Sequence, residues 1–544
     1  MPEQDFREIA RTKFGYERLR LGQEMALRAI LAGQDTLAVM PTGSGKSAIY
    51  QIAAVMIPGA TVVVSPLLAL QQDQIETIAG QDHPAEAGAV SSAVTVGDRQ
   101  EALDGLESGH LEFLFLAPEQ FNRPETLERL QAAQVSLFVV DEAHCISEWG
   151  HDFRPDYLRL GTIIEALGHP RVLALTATAA PPVREEIVAR LGMRRPQVIV
   201  RGFDRPNLWL SVDRFEAEVE KQEALLKCIA AAEKPGLVYA ATKKKVEEIA
   251  ALLVERGIRA EFYHAGRTAS DRKAIQTAFM QDEWEVLVAT TAFGMGVDKP
   301  NIRFVFHADI PESIDSYYQE IGRGGRDGNP ASALLFYQTQ DLGIRKFFAG
   351  RGKVEADQVQ TVLQTLIQQK EPVAARTLQE QTQLSRSKLQ TVVHHLVDLD
   401  VLATTPTGEV IPGPQIVQAE RAIDQVLHLQ ERQQQLERSR LEMMRGYAES
   451  RGCRRQYLLG YFGEMLETPC GFCDNCKAGL VVEEAPGLRP YPVGSRVIHK
   501  QWDGGMVMRY EGNKIVILFD QVGYKTLDTQ MALLRGLLKR TGNE

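Results

Sequence analysis

The sequence predicts an α/β protein: two parallel-sheet lobes, then a winged-helix-like domain, a helical subdomain rich in cysteine and a small β-barrel tail. Three observations predict it. Short apolar, β-branched runs alternate with amphipathic helical stretches from about Thr36 to Phe336. That rhythm breaks once, at "GFDRPNLWL" (Gly202 to Leu210), where Gly, Pro and Asn cluster. After Gly350 the pattern changes to helix upon helix, and short strands return only near the C-terminus. A chain of 544 residues is long enough for several cores of ordinary domain size.

The first lobe, residues 1–205, contains the runs Thr36 to Met40, Ala60 to Val64, Glu112 to Leu116, Ser136 to Val140 and Val172 to Leu175. They are apolar throughout instead of alternating, as strands covered on both faces are. The second lobe, 206–350, repeats the pattern with Gly236 to Tyr239, Glu285 to Ala289 and Arg303 to Phe306. In residues 351–418, Leu389, Val392, Val393, Leu396 and Leu399 keep helical spacing, and Val401 to Val410 reads as two short strands around Pro406-Thr-Gly408. Helices followed by a hairpin outline a winged helix, with a helical adaptor as the alternative. Residues 419–480 hold a Gln/Arg-rich helical stretch (Ile423 to Gly446) and a cysteine cluster. "VVEEAPGLRP" (Val481 to Pro490) reads as a linker, and 490–544 as short strands split by glycine turns, a small SH3- or Tudor-like barrel.

Composition excludes several classes. Hydrophobic residues are 44% and charged residues 24%, with no low-complexity tract, as in globular proteins. No apolar run approaches the ~18 residues of a membrane span, and the N-terminus lacks a signal peptide's apolar stretch, so a cytoplasmic protein with no membrane partner is expected. The net charge of −10 argues only weakly against nucleic acid, because binding needs a local basic track.

A nucleotide site is expected where "GSGKS" (Gly43 to Ser47) follows an apolar strand and precedes a helix. The loop has the form used by motor ATPases, here Met40-Pro-Thr-Gly-Ser-Gly-Lys. Amides of Thr42, Gly43, Ser44 and Gly45 at a helix N-terminus can cradle phosphates, Lys46 can reach the β/γ oxygens, and Ser47 can ligand Mg²⁺. On a later strand, Asp141 is placed to hold the Mg²⁺ and Glu142 to deprotonate the attacking water. "QEIGRGGRDG" (Gln319 to Gly328) offers Arg323 and Arg326 from the other lobe to stabilise charge on the γ-phosphate. The spacing Cys453-x16-Cys470-x2-Cys473-x2-Cys476 supplies four thiolates for Zn²⁺ or an iron-sulfur cluster, while Cys145 and Cys228 read as buried thiols.

With these residues assembled, the first 340 or so positions resemble the RecQ branch of superfamily 2 DNA helicases, whose lobes are RecA-like. "FGYERLRLGQ" (Phe14 to Gln23) looks like the adenine-reading motif, which implies Tyr16 stacking on the base, Gln23 bonding its edge and Arg20 nearby. "MPTGSGKS", "VVVSPLLALQQDQ" (Val62 to Gln74), "LAPE", "DEAH", "ALTATA", "YHAG", "VATTAFGMGVDKP" and "SYYQEIGRGGRDG" follow in order. "CISEWGHDFRPDY" (Cys145 to Tyr157) is similar to the family's aromatic-rich loop, which couples single-stranded DNA to hydrolysis. Trp149 and Phe153 can stack on bases, Arg154 can meet phosphate or base faces, and His151 can relay loop position to the acids. "CRRQYLLGYFGE" and "PCGFCDNC" resemble the RecQ zinc-binding subdomain, which implies zinc as the metal.

Two features depart from the family. Roughly 100 residues separate the second lobe from Cys453, and the winged-helix candidate lies among them, before the cysteines instead of after. The segment Val493 to Asp520 is similar to the Tudor-like tail of UvrD-type helicases, which docks on partner proteins. From Arg489 to Glu544 there are nine Lys/Arg against five Asp/Glu, a local balance of +4, which permits either a nucleic-acid contact or an acidic protein partner; the resemblance of the tail implies a partner such as RNA polymerase or a repair factor. The resemblance implies an ATP- and Mg²⁺-dependent DNA helicase of 3′–5′ polarity in repair or recombination, acting on single-stranded and duplex DNA. A superfamily 2 RNA helicase and a nucleic-acid-binding scaffold without unwinding are the competing classes.

Overall fold

The computed structural model describes residues 6–66, 75, 86–90, 96–147, 154–291, 293, 299–349, 353–369, 372–405, 409–416, 419–481 and 488–541. In lobe 1, β1 (Thr36–Val39), β2 (Ala60–Val64), β3 (Glu86–Val90), β4 (Leu111–Leu116), β5 (Val135–Val140), β6 (Arg171–Thr176) and β7 (Gln197–Val200) form one sheet in the order β3-β4-β2-β5-β6-β1-β7. Every pairing is parallel. Successive residues of one strand enter opposite cores: Leu37 and Val39 face one apolar cluster, Ala38 the other, and Val62 and Val64 oppose Val63. That two-sided burial is why these strands are apolar without alternation.

Lobe 2 contains β8 (Leu208–Arg214), β9 (Gly236–Tyr239), β10 (Ala260–Tyr263), β11 (Val286–Ala289), β12 (Phe304–His307) and β13 (Ala331–Tyr337), in the order β10-β11-β9-β12-β13-β8 and again all parallel. The "GFDRPNLWL" stretch therefore does two things. Its first residues link the lobes, and its last three begin β8.

Helices 356–368, 375–382 and 386–398 precede an antiparallel pair, β14 (Leu402–Thr404) and β15 (Val410–Pro412), in the element order of a winged helix. The proposed hairpin tip, Pro406-Thr-Gly408, lies outside the described residues. A helix of 31 residues, Ala419–Glu449, spans about 46 Å at the usual rise. Its first turns supply Ala422 and Val426 to the winged-helix core, and its last turns supply Leu441, Met444 and Tyr447 to the core shared by the lobes and the cysteine module. This one rod lets a domain inserted before the cysteines coexist with a conventional cysteine module.

The tail forms a five-stranded antiparallel sheet, β16 (Arg496–His499), β17 (Asp503–Glu511), β18 (Lys514–Phe519), β19 (Gly523–Asp528) and β20 (Leu538–Arg540), in the order β19-β18-β17-β16-β20. A helix, Thr529–Leu534, interrupts the strands that the sequence predicts there. It starts at Asp528, whose carboxylate caps the Met531 N–H at 2.9 Å, a cap that a strand-period reading passes over. The barrel is docked. Arg509 lies 4.3 Å from the Tyr457 ring centroid, Tyr461 stacks on Tyr524 at 5.5 Å, and a Cβ on Gly523 would meet Ser439 Oγ at 2.2 Å.

Candidate active site and DNA-coupling region

The phosphate loop runs from the end of β1 into helix Ser47–Met56. Gly43 and Gly45 adopt φ of +75° and +74°, a region where side chains are strained, so glycine is required at both. Lys46 curls over the loop and donates to Met40 O (3.1 Å) and Pro41 O (3.3 Å). Burial lowers its pKa, the Glu142 and Asp141 carboxylates pull it back up, and Arg326 opposes them. Gln23 ties the adenine-motif segment to this loop. Its Nε2 donates to Gly45 O (2.8 Å) and Ser44 O (3.2 Å), while its Oε1 accepts from the Arg20 N–H (2.7 Å). Tyr16 is half-buried, its hydroxyl 3.4 Å from Gln51 Oε1 and its ring stacked on Phe14; Arg20 is exposed.

The acids stand where β5 ends. The Asp141 N–H donates to Val64 O at 2.8 Å, and burial together with Glu142 pushes the Asp141 pKa up to about 7, with Lys46 countering. Such a carboxyl pair beside one lysine is an environment that favours a bound cation. Glu142 has φ +48°, a left-handed conformation unusual for a non-glycine residue, which aims its carboxylate independently of Asp141. Glu142 Oε2 lies 3.3 Å from His144 Nδ1, and that nitrogen also lies 2.9 Å from Thr176 Oγ1 at the end of β6. Thr176 Oγ1 in turn donates to Thr178 O at 3.2 Å. This relay from the acids to "ALTATA" is not visible in sequence spacing.

The second lobe reaches into the same cleft. A Cβ built on Gly43 would lie 3.2 Å from Arg326 Cδ, so the Arg326 side chain packs on the phosphate loop. Arg323 is 2% exposed, and its Nε has no hydrogen-bond partner among the described residues, a buried donor suited to an anion. Two residues that sequence reasoning passed over hold this glycine loop. Arg205 donates to Gly322 O (3.1 Å), Gly324 O (2.7 Å) and Gly325 O (3.0 Å), and Asn207 Nδ2 to Gly325 O and Asn329 O, both at 2.8 Å. Their only sequence signal was the junction stretch "GFDRPNLWL".

Trp149, His151 and Phe153 lie outside the described residues. Arg154 follows them directly; its N–H donates to Cys145 O (2.8 Å) and its guanidinium to Pro66 O (3.1 Å), linking the end of that loop to the segment after β2.

The sulfurs of Cys453, Cys470, Cys473 and Cys476 all lie within 4.8 Å of one another, and Cys470 and Cys476 are 4.0 Å apart. A Zn–S tetrahedron has an edge of about 3.8 Å, so the four thiolates fit a closed structural zinc site. Residues beside the ligands join the module to lobe 2. Asp474 accepts from Arg454 and from the Val212 N–H of β8 (3.0 Å), and Arg455 bonds Asp204 (2.8 Å) and Leu208 O (2.7 Å). Phe462 stacks on Phe203 at 4.6 Å and its carbonyl accepts from Arg184 of lobe 1 at 2.6 Å.

A phosphate loop and acid pair on one parallel sheet, faced by an arginine loop from a second, define a two-lobed ATP-hydrolysing motor of the helicase class. Family models match in that order: DEAD/DEAH box helicase over residues 20–187, helicase conserved C-terminal domain over 220–328 and RecQ zinc-binding over 415–477. The chain is 34% identical over 485 residues to the probable ATP-dependent DNA helicase RecS of Bacillus subtilis, covering 88% of this chain and 92% of that one. It is 35% identical to the ATP-dependent DNA helicase RecQ of Pasteurella multocida, covering 86% of this chain and 62% of the relative. Among solved structures, the DUF1998 helicase MrfA bound to DNA superposes with a TM-score of 0.53 at 17% identity, over 77% of this chain and 64% of that one, a likeness of fold. The chain belongs to the RecQ family of ATP-dependent DNA helicases. No helix among the described residues is long and apolar enough to cross a membrane.

Proposed function

We propose that the chain uses ATP hydrolysis in the cleft between its lobes to move 3′ to 5′ along single-stranded DNA and open duplexes in DNA repair or recombination, in the cytoplasm. The packing of Arg326 on Gly43 carries this reading, because it makes hydrolysis depend on the two lobes meeting. Tyr16, Arg20 and Gln23 hold the adenine, and the Thr42 to Gly45 amides with Lys46 hold the phosphates. Mg²⁺ held by Ser47 and Asp141 would supply positive charge to the phosphate oxygens. Glu142 orients the attacking water and takes its proton, and Arg323 and Arg326 stabilise the charge that develops on the transferred group. The His144–Thr176 contact passes the position of the acids to the end of β6, and Trp149, His151, Phe153 and Arg154 couple them to stacked bases.

DNA as the substrate is supported by relatives named as DNA helicases and by the four-cysteine module. The β14–β15 hairpin is the candidate wedge. On the barrel, Met531, Leu533 and Leu534 are exposed beside Arg535, Lys539 and Arg540, a surface suited to an acidic protein partner such as RNA polymerase or a repair factor. The test is unwinding of 3′-tailed, 5′-tailed and forked duplexes by the full chain. Opening of the 3′-tailed and forked substrates is expected, and opening of the 5′-tailed substrate alone refutes the polarity.

A further inference from the structure

A second cluster of metal-ligating side chains lies outside the cysteine module, on the helix Arg386–Asp398 of the winged-helix-like domain. Ligand atoms of His394, His395 and Asp398 all lie within 4.8 Å of one another. Positions 394 and 395 each lie about one turn from 398, at the i,i+4 and i,i+3 spacings, so both histidines can meet Asp398. His394 Nε2 is 3.3 Å from Asp398 Oδ2. That is the separation of about 3.3 Å expected between two donors on a tetrahedral ion with bonds of about 2.0 to 2.1 Å. His395 is 6% exposed and its Nε2 is buried with no hydrogen-bond partner among the described residues. A buried imidazole nitrogen left without a partner costs stability unless something fills its lone pair.

The structure assigns to His394, His395 and Asp398 a second divalent-metal site, one that takes a zinc-class transition ion through two imidazoles and one carboxylate. Two nitrogens and one oxygen suit such ions and leave one or more positions open, unlike the closed Cys453–Cys476 set. The neighbour across the gap is lobe 1. Glu186 and Arg190, on helix Pro181–Arg190, lie within electrostatic reach of Asp398. Arg190 Nε is 3.4 Å from Glu186 Oε1, and its positive charge acts on both His394 and Asp398, so a bound cation competes with Arg190 for the Glu186 and Asp398 carboxylates. Glu186 lies outside the close cluster of ligand atoms, so its carboxylate acts from lobe 1 by charge, favouring a cation held at Asp398. The other oxygen of Glu186 already accepts from Ser147 Oγ at 2.6 Å. Ser147 lies within the aromatic-rich segment, two residues before Trp149, so the charge of the bound ion is linked through Glu186 to the segment proposed to sense DNA.

The experiment uses the full chain with its cysteine-bound metal retained and its weakly held metal removed by mild chelation, titrated with Zn²⁺ and separately with Co²⁺. One ion per chain beyond the cysteine-bound one is expected. Its Co²⁺ spectrum should show weak ligand-field bands without the intense thiolate charge transfer of the cysteine site. Asp398→Asn, a nearly isosteric change expected to fold, and His394→Ala should each weaken this binding at least about tenfold, and Glu186→Gln should weaken it too. Wild-type protein that takes up no ion beyond the cysteine-bound one, or Asp398→Asn and His394→Ala variants that bind it unchanged, overturns the site. Unchanged affinity in Glu186→Gln overturns the link to lobe 1.

Discussion

Arg205→Ala is the sharpest perturbation of the hydrolytic geometry, because Arg205 is placed to act only through other residues. Its guanidinium donates to three carbonyls, of Gly322, Gly324 and Gly325, on the loop that carries Arg323 and Arg326. At about 1 kcal/mol for each bond, losing three costs about 3 kcal/mol of preference for the loop's present conformation. That corresponds to roughly a hundredfold loss in the population that presents both arginines. Misplacing a catalytic group by about 1 Å costs a similar factor of about 10². Asn207 still holds Gly325 O, so the fall in kcat should be roughly 30- to 100-fold instead of the 10³-fold or more expected from deleting an arginine that meets the transferred phosphate. The assay is steady-state ATPase with and without saturating single-stranded DNA, alongside thermal melting to show that the variant folds. Both rates should drop by the same factor, with KM for ATP moved by less than about threefold, because the bonds that Lys46 and Gln23 make within the phosphate loop are untouched. A folded variant whose kcat stays within about threefold of wild type refutes the positioning role. Loss confined to the DNA-stimulated rate would place Arg205 in DNA binding instead.

Glu142→Gln should bind ATP normally and hydrolyse it at least about 10²-fold more slowly, as expected for loss of a general base; brisk turnover in a single-turnover assay would place the base elsewhere. Trp149→Ala with Phe153→Ala should keep the DNA-independent ATPase and lose its stimulation, because each base stacked on an aromatic ring contributes about 1 to 3 kcal/mol. Normal stimulation by single-stranded DNA would refute that coupling. Cys473→Ser should lower bound zinc and solubility together, since Cys473 is fully buried and its backbone bridges to Leu210 of β8. Elemental analysis that finds full zinc occupancy in this variant refutes the four-thiolate assignment.

The parts legible in the sequence were those whose chemistry is local. Apolar runs without alternation identify strands buried on both faces, and Gly43 and Gly45 mark a turn that only glycine enters freely. Four cysteines at short spacing announce a metal wherever the chain goes. The helix at Thr529–Leu534 was missed because six residues carry too little periodicity, and only the Asp528 cap could have signalled it. The role of "GFDRPNLWL" was half seen. Its breakers mark a junction, but nothing in their spacing says that Arg205 and Asn207 will grip carbonyls about 120 residues away.

By itself, then, the sequence determined the two-lobed motor and the candidates for its phosphate loop, acids, arginines and metal-binding cysteines, because each depends on a few adjacent residues and their backbone preferences. Only the tertiary structure decided which of these meet. The approach of Arg326 to Gly43 and the single long helix shared by two cores arise from packing together segments distant in the chain. Apolar burial is non-directional, so local patterning shows which faces must be covered but not which segment covers them.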